Sequence, residues 1–104
     1  MPGGVSPSFT VEYLASAQHD LTQILLQATA QGNLDSVWAD FLAMDKLLQH
    51  DARTLGEETH HYRHLKLVNR HTVARSISVQ FAVHENKPLV FVRTLTKAAQ
   101  VDDK

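Results

Sequence analysis

A chain of 104 residues, 43% hydrophobic and 20% charged, is sized for one globular domain with a single modest core. It contains no cysteine, which excludes disulfides and thiolate metal sites, and no apolar run near the ~20 residues that span a bilayer. The net charge of −1 conceals a split at residue 59: residues 1–59 hold two basic side chains against eight acidic ones (−6), and residues 60–104 hold eight against three (+5). Five of the seven histidines (His60, His61, His64, His71, His84) fall in the positive part. Either the basic half faces an anionic ligand or the two halves attract each other within the fold. No secretion signal opens the chain, so a cytoplasmic location is expected.

Residues 1–8 are rich in Pro, Gly and Ser and read as a tail. Phe9, Val11 and Tyr13 alternate with Thr10 and Glu12, a short strand. From Leu14 the period becomes helical, with Leu14, Ala17, Leu21, Ile24, Leu25 and Ala28 on one side. Gly32-Asn33 predicts a helix end followed by a new N-cap. A second helix carries Leu34, Val37, Trp38, Phe41, Leu42, Met44, Leu47 and Leu48, and so short a connection predicts a helical hairpin. Residues 51–59 lack a period and contain Gly56, so they read as a connector.

Tyr62 to Val68 alternates in part, giving a weaker strand pattern. Ile77, Val79, Phe81 and Val83 alternate with Ser78, Gln80, Ala82 and His84, a half-buried strand. Glu85-Asn86-Lys87-Pro88 is turn chemistry, and Leu89-Val90-Phe91-Val92 is an apolar strand. Residues 98–104 form a polar end. The expected fold is therefore α+β: a short N-terminal strand, a helical hairpin, then a three-stranded antiparallel meander, all in one domain over residues 9–97.

Several short motifs, in order over residues 9–97, resemble those of the RelE/ParE superfamily of type II toxins. Asp20-Leu21-x-x-Ile24 is similar to the family's D-L-x-x-I; Leu47-Leu48 followed by Gly56 resembles its second helix end and loop. Arg63-His64-Leu65 resembles its R-x-L, Val79-x-Phe81-x-Val83 its V-x-Y-x-V, and Leu89 to Leu95 its final strand with an Arg near the end. Ser78 stands where an Arg is frequent, with Arg75 three residues earlier; Thr96 stands where a His is common. The resemblance implies a plasmid-stabilisation type toxin held by a cognate antitoxin. Its activity would be ribosome-dependent mRNA cleavage, or inhibition of DNA gyrase without catalysis, or, in a relative that has lost activity, binding alone. It implies no cofactor and no membrane partner, and leaves the oligomeric state open.

Cleaving RNA through its own 2′-OH needs a base, an acid for the leaving oxygen, and cations for the phosphorane. For that reaction the candidate catalytic residues are His64, His71 and Lys66; the candidate phosphate ligands are Arg63, Lys66, Arg70, Arg75 and Arg93. The competing reading of each is a solvated basic sheet face. His60-His61-x-x-His64 lacks a cysteine and the helical H-E-x-x-H spacing, so no metal is expected. Trp38 and Phe41 share helical spacing with Leu34 and Leu48, which favours core packing over a partner groove.

Overall fold

The computed structural model describes residues 8–97, so the expected tails lie, apart from Ser8, outside the described residues. The chain runs β1 (Thr10–Tyr13), α1 (Ala15–Gln31), α2 (Leu34–Asp51), β2 (Glu57–Tyr62), β3 (Leu67–Ala74), β4 (Ile77–His84) and β5 (Leu89–Lys97). It is α+β: two helices lie on one face of a five-stranded mixed sheet of order β1-β5-β4-β3-β2. β1 pairs parallel with β5; β2 to β5 form an antiparallel meander.

The hairpin forms where the sequence places it. Gly32 takes a left-handed φ of 77°, its N–H reaching Thr29 O at 3.2 Å, and the Asn33 N–H reaches Ala28 O at 3.0 Å. Asn33 occupies the N-cap of α2, but its side chain makes no capping bond. α1 buries Ala17, Ile24 and Ala28; α2 buries Val37, Phe41, Met44 and Leu48. They meet Ile77, Val79, Phe81, Val83, Val90, Val92 and Leu95 of the sheet. Each large side chain so buried contributes about 1.5–3 kcal/mol.

The meander has four strands, not three. Tyr62–Val68 is a hairpin: β2 ends at Tyr62, residues 63–66 turn, and β3 starts at Leu67. Leu65 N–H bonds Tyr62 O at 3.1 Å and Lys66 N–H bonds Arg63 O at 3.2 Å. The left-handed position is taken by Lys66, φ 57°, rather than by Gly or Asn, so the turn carries no chemical label. β2 begins inside the stretch read as a connector, because Glu57-Glu58-Thr59-His60 pairs through its backbone and buries none of these side chains.

Two glycines hold left-handed angles but differ in surroundings. A Cβ on Gly32 would meet nothing within 4 Å; one on Gly56, φ 70°, would sit 2.1 Å from His71 O of β3. Gly32→Ala is expected to cost about 1–2 kcal/mol from backbone strain alone. Gly56→Ala adds a clash with β3 and should cost more, read as the shift in urea midpoint. Equal losses at both sites would contradict the close approach of β2 to β3.

Candidate functional site

The sheet face opposite the helices carries a groove. Asn69 of β3, Ala82 of β4 and Phe91 of β5 are successive ladder partners and form one row across it. Ala82 is the small member of the row, and a cavity of about 480 Å³ opens over it. Tyr62, Leu65 and Leu67 wall the cavity near the β2–β3 turn, and Leu14 and Arg93 complete it. That volume lies within the range of small-molecule sites. The lining is apolar except for Arg93, the Tyr62 hydroxyl and Asn69. Asn69 is only 7% exposed, and its Oδ1 has no hydrogen-bond partner.

Arg93 follows core-facing Val92 and so lies on the groove side, and β5 bulges there. Phe81 pairs with Val92 and Gln80 with Thr94, so Arg93 is the extra residue. β1 ends at Tyr13, opposite Val92, and leaves the rest of β5 without a β1 partner. The start of α1 takes over. Leu14 N–H donates to Val92 O (3.0 Å), Ser16 Oγ donates to Arg93 O (2.7 Å), and Leu95 N–H donates to Asp20 Oδ2 (3.0 Å). Asp20, the first residue of the D-L-x-x-I run, thus ties α1 to β5.

The residues singled out from the sequence do not gather at one point. Arg63, His64 and Lys66 lie exposed in the β2–β3 turn. Arg70 is the ladder partner of Phe81 and so lies on the helix side; its Nε donates to Leu55 O (2.8 Å) and its Nη2 to Gly56 O (3.0 Å). His71 is hydrogen-bonded through Nε2 to Ser78 Oγ at 2.7 Å, so Ser78 holds a histidine in place. Arg75 sits just past the far end of β3, roughly 30 Å from Lys66 along the strand. It lies 3.5 Å from Asp40 Oδ1, and Ser76 Oγ donates to Asp40 Oδ2 at 2.5 Å. Only Arg93 borders the groove directly, with Arg63 and Lys66 beside its wall residue Leu65.

His84 Nδ1 accepts the N–H groups of Asn86 and Lys87, both at 3.0 Å, so its proton lies on Nε2. His60 and His61 face opposite sides of β2, opposite Asn69 and Val68. Among the described residues, no three His, Asp or Glu are placed to hold a metal. Trp38 departs from the core-packing expectation: it stacks on buried Phe41 at 5.4 Å but is itself 42% exposed. Sequence reasoning missed Asn69, Tyr62 and Phe91 as groove residues. The one available signal was a lone Asn between Val68 and Arg70, which reads equally well as a turn.

The groove end of the sheet is fastened by His61 of β2 bonding Glu85 of the β4–β5 loop. This hydrogen bond and the imidazolium charge hold the Glu85 carboxyl below its ordinary 4.5. A carboxyl lowered in the native state adds stability that is complete above its unfolded value and is lost as pH falls through the native one. An NMR titration of the Glu85 side chain should therefore have its midpoint below 4.5, and His61→Ala should raise that midpoint toward the ordinary value, with Lys66 and His84 still acting to lower it. An unchanged midpoint in the variant would remove His61 as the cause. No family model matches this chain, nor does any curated protein or solved structure.

Proposed function

We propose that this chain is a RelE/ParE-type toxin-like protein that acts by binding a protein partner rather than by cutting RNA. Support for the type is the element order, strand then helical hairpin then meander, together with the motif run of residues 20–95. The observation that carries the mode of action is the divergence of the candidate catalytic set. Transesterification needs base, acid and cations around one phosphate. Arg70 instead binds loop carbonyls on the helix side, Arg75 pairs with Asp40 at the far turn, and His71 bonds Ser78.

The partner surface is the outer stripe of α2. Leu34, Trp38 and Leu42 recur every four residues, all exposed, which is the spacing that receives an amphipathic partner segment. An antitoxin segment is the first candidate partner, and DNA gyrase is the candidate target. The nuclease reading keeps one point in its favour: Arg63, His64 and Lys66 share the turn whose Leu65 walls the groove bordered by Arg93.

Inducible expression in a bacterial host, with mapping of mRNA 5′ ends, separates the two. On the binding reading growth slows without new ends, His64→Ala is as inhibitory as the parent, and Trp38→Asp relieves inhibition. New ends in phase with codons, abolished by His64→Ala, would replace binding with ribosome-dependent cleavage. Unimpaired growth with soluble full-length protein would discard the toxin assignment in that host.

A further inference from the structure

We propose that the groove over Ala82 is a binding site for an acylated apolar amino-acid carboxylate, either a free small molecule or the last residue of a peptide. This goes beyond the α2 surface and does not depend on it. Three features of the groove each select one part of such a molecule.

The first is the hollow itself. Ala82 is 4% exposed and lies between the larger Asn69 and Phe91, with Tyr62 and Leu65 standing over it. A flat sheet face filled evenly by its own side chains would leave no cavity. Here an aromatic or branched apolar group fits, with the Phe91 and Tyr62 rings as walls.

The second is Asn69. Its Oδ1 is the one buried side-chain polar atom among the described residues with no hydrogen-bond partner. Buried acceptors are ordinarily satisfied, because leaving one unpaired destabilises the native state. An N–H donor arriving in the groove satisfies it, and the amide N–H of an acylated amino acid is such a donor.

The third is Arg93. The bulge and its ties to Ser16 and Asp20 fix the backbone on either side, and the guanidinium forms no ion pair among the described residues. A planar guanidinium at one end of an apolar groove is suited to a carboxylate.

The test is a titration of the full chain with N-acetyl-L-phenylalanine, followed by amide NMR shifts. Saturable shifts are expected at Asn69, Ala82, Phe91 and Arg93. N-acetyl-L-phenylalanine amide, lacking the charge, and 3-phenylpropionate, lacking the N–H, should each bind about tenfold more weakly. Arg93→Gln and Asn69→Leu should weaken the parent probe by a similar factor. A hexapeptide ending in Phe that binds at least as tightly assigns the site to chain ends; one that binds more weakly assigns it to the free molecule. Asn69→Leu should also raise Tm by several degrees, since it removes an unpaired buried acceptor. Equal binding by the parent and both variants, shifts centred elsewhere, or no saturable shift with either probe would overturn the proposal. A fall in Tm for Asn69→Leu would show that the amide is satisfied in the free protein, and would remove its premise.

Discussion

The edge of β5 beyond Val92 is the constraint on which the rest of this fold depends. β1 is only four residues long and leaves the second half of β5 with backbone groups facing no strand. An unpaired strand edge close to a core must be covered or satisfied. α1 does both: its first turns supply the Leu14 N–H, the Ser16 hydroxyl and the Asp20 carboxylate to Val92 O, Arg93 O and Leu95 N–H in succession. The helix is thereby docked along β5 at a fixed register. The two-residue link at Gly32-Asn33 then lays α2 back across the sheet, where it reaches β1, β3 and β4.

The same seam shapes the other face. A regular β5 would alternate strictly and send one residue of each pair to the core. The bulge inserts Arg93, so Val92 and Leu95 can both be buried under the helices while the guanidinium turns to the open side. The side chains that hold α1 in place are thus also those that hold the cation at the groove. On the helix side Ile77, Val79, Phe81, Val90 and Val92 are near zero exposure, so the open face makes little demand for stability and is free to be hollow.

Much of the helix-covered half was legible in the sequence. The apolar alternation of Ile77 to Val83, the run at Leu89–Val92 and the Gly32-Asn33 break each became the element they predict. The failures share one physical cause. Thr59 to Thr72 has few apolar residues because β2 is an edge strand and β3 shows one side to the groove, so neither has the clean period that a buried face imposes. Both tight turns used Lys66 and Arg75 at positive φ, where no Gly or Asn marks the reversal. Trp38 was misread for a related reason: helical spacing places it next to Phe41 but does not say where the edge of the sheet falls beneath α2. The groove was illegible altogether, since its row Asn69-Ala82-Phe91 exists only through the register of three strands.

The charge split between the two halves resolves in an unexpected way. Mutual attraction would have paired the basic residues of the sheet with the acids of the helices, yet Arg75–Asp40 is the one such Arg or Lys pair among the described residues. Arg70 instead satisfies the carbonyls of Leu55 and Gly56, and Arg53, from the acidic half, satisfies those of His84 and Lys87 while lying 5.0 Å over the Phe9 ring. Carbonyl oxygens take the hydrogen bonds of these guanidinium groups but leave their net charge intact. Of the remaining cations, Arg63 and Lys66 flank Leu65 in the turn above the groove and Arg93 stands at its wall. The positive surplus of residues 60–104 is therefore not cancelled across the fold; part of it is carried to the rim of an apolar hollow. Arg63 and Lys66 are exposed and act on an anion through water, whereas half-buried Arg93 has the apolar wall on one side, so less water intervenes to screen its attraction.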